Sequence, residues 1–237
     1  NGSVTLHSQT GRLLCCFPPF PSSSPSPDLE NKVFIFPESS NVSHVVLKPS
    51  PQRPLTGFTI CLRSYTDMTR AHTLFSYATK TNDNEIVLFK SKPNEYSLYV
   101  GTSDVLFILP ENLVSKPRWE HICMSWESDT GLVEFWLDGE ALPRNGMMKG
   151  HNISPEASIV LGQDQDSFGS GFDINQSFVG ELRDVYMWDR VLSDHEMCLV
   201  WGNYVPARPV INWRALNYVI KDYVVLKPSL SSVCRDG

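Results

Sequence analysis

Residues Glu120–Gly139 read EHICMSWESDTGLVEFWLDG, and this stretch decides the fold class. Glu120–Trp126 is a run of β-formers. In Leu132–Leu137, Val133, Phe135 and Leu137 share one face at the two-residue period of a strand, and Asp138-Gly139 follows as a hairpin turn. Outward from this hairpin the same texture recurs. Strands are expected at Val33–Phe36, His44–Leu47, Phe58–Tyr65, Thr73–Tyr77, Glu85–Phe89, Tyr96–Val100, Val105–Leu109, Ser158–Leu161 and Phe178–Trp188. Many short strands between turn residues predict an all-β fold, a flattened two-sheet jelly-roll sandwich. One helix interrupts the pattern. Ser193-Asp194-His195-Glu196 is a capping box, after which Met197, Val200 and Trp201 fall on one face and are expected to pack on a sheet. Gly202 or Asn203 ends it.

The chain has 237 residues, 41% of them hydrophobic, with a formal net charge of −6. That suits a globular protein with a real core. Acids and bases are interspersed without a basic patch, so nucleic acid is not expected as the main ligand. No apolar run reaches the ~18 residues that would span a bilayer, so no membrane insertion is expected.

Residues 1–27 differ from the rest. Pro18–Pro27 is almost entirely Pro and Ser, which reads as a disordered or extended segment or the remnant of a leader. Leu13–Phe17 is too short for the apolar core of a signal peptide. The folded domain is placed at 28–228, with 229–237 as a tail.

The six cysteines are too sparse for a disulfide-built miniprotein; one or two bridges or buried thiols fit. Glycosylation sequons begin at Asn1, Asn41, Asn152 and Asn175. The histidines form no His-x-x-x-His pair, which disfavours zinc. Catalytic signatures such as Gly-x-Ser-x-Gly or Cys-x-x-Cys are absent from the sequence.

Chemistry concentrates in Val160–Glu181, VLGQDQDSFGSGFDINQSFVGE. Asp164, Gln165, Asp166, Asp173 and Gln176 crowd oxygen donors into one loop, and Gly169 and Gly171 let it fold back. Three readings stand on spacing alone: a solvated turn, a site for a hard cation such as calcium, or a glycosidase pair formed by Asp164 and Asp166. Amide oxygens are good calcium ligands and poor general acids, so Gln165 and Gln176 favour the cation. A second donor pair, Asp83-Asn84, precedes the Glu85–Phe89 strand.

His121-Ile-Cys123-Met-Ser125-Trp126-Glu127-Ser128 matches the pentraxin signature His-x-Cys-x-Ser-Trp-x-Ser at every fixed position. KVFIFP from Lys32, FTICLRSYTDMTRAHTLFSYAT from Phe58, DNEIVLF from Asp83, SFVGELRDVYMWD from Ser177 and NWRALNYVIKDYVVLKP from Asn212 extend the match. The chain therefore resembles the short pentraxins over about Asp28–Pro228. The resemblance implies one long helix, a ring of five protomers and two calcium ions on one face. The first ion would take Asp83, Asn84, Asp164, the backbone oxygen of Gln165, and Asp166. The second would take Asp164, Asp166, Asp173 and Gln176. Asp164 stands where the family leads one to expect glutamate, one methylene longer, so the second ion is the weaker expectation.

The same resemblance pairs Cys61 with Cys123, closing a loop of roughly 60 residues worth about 3–4 kcal/mol in the chain-entropy model. It leaves Cys15, Cys16, Cys198 and Cys234 unassigned. Phe89 matches the family's choline-binding aromatic, and Asp104 occupies the position of its acid; Tyr99 stands nearby and would narrow the pocket. A cation on a ring face beside a carboxylate is a sound choline receptor. The implied function is a secreted, calcium-dependent lectin of innate immunity and the acute phase. It would bind phosphocholine or other phosphorylated or anionic ligands on microbes and damaged cells, with complement components as implied partners and no enzymatic activity. The rival classes are a sandwich-fold glycan hydrolase and a laminin-G-like adhesion module with a single calcium.

Overall fold

The computed structural model describes residues 28–49, 53–111 and 116–230. The expectations for 1–27, for Asn1, and for Cys15, Cys16 and Cys234 lie outside the described residues.

Fifteen strands follow in chain order: β1 (Lys32–Phe36), β2 (His44–Leu47), β3 (Gly57–Tyr65), β4 (His72–Thr79), β5 (Ile86–Lys92), β6 (Glu95–Val100), β7 (Ser103–Ile108), β8 (Glu120–Glu127), β9 (Leu132–Leu137), β10 (Glu140–Ala141), β11 (Asn145–Gly146), β12 (Ala157–Leu161), β13 (Gly180–Trp188), β14 (Tyr218–Lys221) and β15 (Val225–Pro228). They form two antiparallel sheets. One runs β10-β9-β8-β3-β13-β1-β15, with β11 also pairing β9, and the other runs β14-β2-β12-β4-β5-β6-β7. The two-sheet sandwich expected from the alternation is the fold observed.

The deciding stretch forms β8 and β9, joined in register from Ile122↔Leu137 to Trp126↔Val133. Asp138 (φ 51°) and Gly139 (φ 86°) take the two left-handed positions of the turn into β10. β8 pairs with β3 along its length, and Cys61 lies directly opposite Cys123, to which it is bonded. Phe58, Ile60 and Leu62 of β3 and Ile122, Met124 and Trp126 of β8 point into the sandwich, and all are essentially inaccessible. Each such side chain contributes roughly 1.5–3 kcal/mol by leaving water. The opposite faces of these strands are also covered. Thr59 donates to Arg190 O and accepts from Leu192 N, which lays the segment before the helix over β3.

The helix α1 spans Asp194–Trp201 with the expected capping box at Ser193 and Glu196. At eight residues it is two turns, not the long helix the resemblance implied. Met197 and Val200 are buried as expected, but Trp201 is 49% exposed. The helix stops at Gly202, so the indole falls past the sheet and covers the Gly139 turn instead. Asn203 closes the end at φ 65°: its N–H bonds Val200 O, and the N–H of Tyr204 bonds Leu199 O. The strands β10, β11, β14 and β15 were not expected.

Candidate metal centre

The loop after β12 leaves and returns at one point. Phe178 N donates to Gly162 O at 2.9 Å, and Gly162 N donates to Leu74 O on β4. Gly162 has φ +83°, and a Cβ there would strike the Phe36 ring, so only glycine fits this base. Between these points the loop folds over the outer face of the second sheet. The Gln165 side chain is fully buried; its Nε2 donates to Ser76 O, Ser76 Oγ and Ser158 O, and its Oε1 accepts from Gly169 N. Its amide is thus consumed by β4, β12 and the loop, which leaves its backbone oxygen as the free donor.

Asp164 is buried beside it. Gln176 Nε2 donates to Asp164 Oδ2 at 3.2 Å, whereas Oδ1 is buried with no partner. Burial, then the charges of Asp166 and Asp83, push this carboxyl up to about 6. Asp166 is raised as well, by burial and by Asp83 and Asp173. The charge of Asp83 thus acts on the loop carboxylates Asp164 and Asp166 despite the long separation in sequence. Asp173 caps a 3-10 turn, Ile174–Gln176, with Oδ1 accepting from Asn175 N and Nδ2. Phe172 packs on His44, ring centroids 4.6 Å apart.

A buried carboxylate oxygen without a donor is costly, and mutually repelling carboxylates add to the cost. A cation among them would relieve both. Asp83, Asn84, Asp164, the Gln165 carbonyl, Asp166, Asp173 and Gln176 offer oxygen alone, which fits a hard ion such as calcium. Among the described residues, the set of His, Cys and carboxylate atoms that converges within 4.8 Å is Cys61, His121 and Cys123, and no three of the loop carboxylates draw that close. Its sulfurs are already bonded to each other, so it offers no thiolate to a metal.

Beside the loop lie the three residues matched to a choline pocket. Val87, Tyr99 and Asp104 align across β5, β6 and β7, and Ser76, which holds Gln165, pairs with Val87. Phe89 and Tyr99 meet edge to face, centroids 6.3 Å apart. Asp104 is exposed; burial, and then the charges of Asp104 and Asp164, raise the Tyr99 hydroxyl. The aromatic pair and the carboxylates thus share one surface. Asn41, Asn152 and Asn175 are all exposed, and Asn175 sits on the loop itself.

Sequence reasoning missed the pair Glu85–His151. Buried Glu85 directly follows Asp83-Asn84, and its Oε1 meets His151 Nε2. Only the position of Glu85 beside the donor pair offered a signal; no spacing links it to His151.

Residues 32–228 match the Pentaxin family model. The chain is 46% identical to serum amyloid P-component of Cavia porcellus over 202 residues, 85% of this chain and 89% of the relative. It is 44% identical to mucosal pentraxin of Bos taurus over 222 residues, 93% and 97% of the two chains. Among solved structures, the native heptameric SAP-like pentraxin of Limulus polyphemus superposes with a TM-score of 0.71 at 26% identity, covering 85% of this chain and 97% of that one.

Proposed function

Because the chain belongs to the pentaxin family, we propose that it is a secreted, calcium-dependent recognition lectin for phosphocholine and related phosphorylated or anionic groups. One observation carries the reading. The orphaned Asp164 Oδ1 belongs to a buried carboxyl that feels the charges of Asp166 and Asp83, on the surface that also presents Phe89, Tyr99 and Asp104. Calcium held there by Asp83, Asn84, Asp164, Gln165, Asp166, Asp173 and Gln176 supplies positive charge for phosphate oxygens. The chain's own residues do the rest: the aromatic pair offers a ring face to a trimethylammonium group, and Asp104 offers it a counter-charge.

Affinity at a single exposed site of this kind is modest, and a ring of protomers multiplies it through effective concentration. The family resemblance leads to five protomers; the Limulus relative is a heptamer. Among the described residues no helix is long and apolar enough to cross a membrane.

The raised Asp164 would also suit a general acid, which is the observation favouring the hydrolase reading. One experiment separates the two. Phosphocholine resin retains the protein in calcium and releases it in chelator if the lectin reading holds. Retention that ignores chelator, or calcium-independent turnover of β-glucan, refutes it.

A further inference from the structure

Arg70 lies outside the proposed ligand set, in the turn before β4, yet its guanidinium reaches the far arm of the metal loop. Nη1 donates to the carbonyls of Ala71 (2.9 Å), Asn175 (3.0 Å) and Ser177 (2.8 Å). Nη2 donates to Ser39 Oγ (2.7 Å) and Ser177 Oγ (3.2 Å). Asn175 and Ser177 flank Gln176, so the backbone on both sides of that residue is gripped by one planar group.

A second anchor reinforces the first. The Ser177 hydroxyl, buried, donates to Ile174 O and accepts from Ser40 N. Ser40 O and Ser43 O in turn accept from Gln163 Nε2, at the near end of the same loop. The serine-rich turn between β1 and β2 thereby ties the rising and descending arms together, and Arg70 is the member that spans the gap. Burial lowers the Arg70 guanidinium and the charge of nearby Asp173 opposes this, so the clamp lies beside a proposed ligand without taking the Asp173 oxygens through a hydrogen bond.

We propose that Arg70 is a positioning residue for the second calcium: it fixes the backbone around Gln176, so that Gln176 and Asp173 are presented to the ion before it arrives. The inference rests on the calcium reading above. The forked geometry carries it, since arginine spreads rigid donors over several acceptors where lysine offers a point charge. A loop already ordered loses less conformational entropy when it binds.

Calorimetric titration of the full chain with calcium alone tests it, using wild type, Arg70→Lys and Arg70→Gln, with thermal midpoints in chelator recorded alongside. The expected result is two binding steps in wild type. In both variants the weaker step falls tenfold or more while the tighter one stays within twofold. Ser39→Ala, which removes a single acceptor, weakens the same step by a smaller factor and keeps the test open should Arg70→Gln fail to fold. Unchanged titrations, an Arg70→Lys protein that matches wild type, or both steps weakening together with the chelator midpoint overturn the inference. A wild type that takes up one ion overturns it alone, whereas a wild type that takes up none sinks the calcium reading itself.

Discussion

Gln176 Nε2 and Asp164 Oδ2 are 3.2 Å apart, and the other Asp164 oxygen has no partner. One short carboxylate is thus placed between the two halves of the proposed donor set. Asp164→Glu supplies the missing methylene and is expected to tighten the weaker calcium step about tenfold, ~1.4 kcal/mol. Asp164→Ala should abolish calcium-dependent retention on phosphocholine resin. A glutamate variant whose weaker step is unchanged or poorer would show that reach is not what limits this site.

Phe89 presents its ring beside Tyr99, with Asp104 directly across from Tyr99. Removing the ring costs the cation–π contact, worth about 0.5–2 kcal/mol. Phe89→Ala should therefore weaken phosphocholine roughly three- to thirtyfold, and phosphoethanolamine less, because the smaller ammonium keeps more of its own hydration. Competition binding with the two ligands checks this. Equal losses would place the headgroup away from the ring.

His72 is fully buried, with Nδ1 against Arg70 O and Nε2 unpartnered. Burial, with smaller contributions from Lys90 and Arg70, lowers it to about 4. A depressed histidine contributes stability that is complete above its unfolded value near 6.5. That stability is lost as pH falls toward 4, because the unfolded chain takes up a proton that the folded one refuses. The slope is at most about 1.4 kcal/mol per pH unit. Urea midpoints of wild type and His72→Gln, compared between pH 7 and pH 4, isolate this contribution. The two curves should converge on acidification, and parallel curves would contradict the assignment.

Lys90 on β5 and Glu120 on β8 form an ion pair of 2.7 Å between the two sheets, and the Lys90 ammonium lies 4.5 Å from the Tyr96 ring centroid. Both side chains are almost wholly buried. Glu120→Gln leaves the ammonium without a counter-charge and is expected to cost about 3–5 kcal/mol of unfolding free energy. The double variant Lys90→Met, Glu120→Leu should recover most of it. Denaturant titration decides; a double variant as unstable as the single one would mean that the pair contributes net stability rather than merely avoiding an isolated charge.

Strands with one face inward, such as β9, announced themselves by alternation. β14 and β15 did not, because each lies at the edge of its sheet and is only half-buried or exposed, with no contrast between faces to read. Trp201 followed helical spacing faithfully, but the helix ended beneath it, and spacing does not report where a helix runs out of sheet. The oxygen-rich loop was visible in the sequence, as was the pair Asp83-Asn84. Spacing could not join them, since that depends on how β4, β5 and β12 are ordered in the sheet; only the family resemblance brought them into one expected site. Arg70 gave no signal at all: a lone arginine in a turn reads as a solvated charge, and its role is written in backbone carbonyls that carry no sequence identity.

The backbone bond from Phe178 to Gly162 closes the loop at its base before any ion enters. Selection can therefore act on the tip and on the scaffold almost independently. Exposed tip positions outside the proposed ligand set, such as Ser167, Phe168 and Ser170, are free to diverge and alter what the face recognises while the sandwich beneath keeps its packing. Gly162 enjoys no such latitude, because any side chain there collides with Phe36. A catalogue of tolerated substitutions should thus show permissive tip positions set between fixed ligands and hinged on an intolerant Gly162, and lineages that changed their ligand should have done so without touching that glycine.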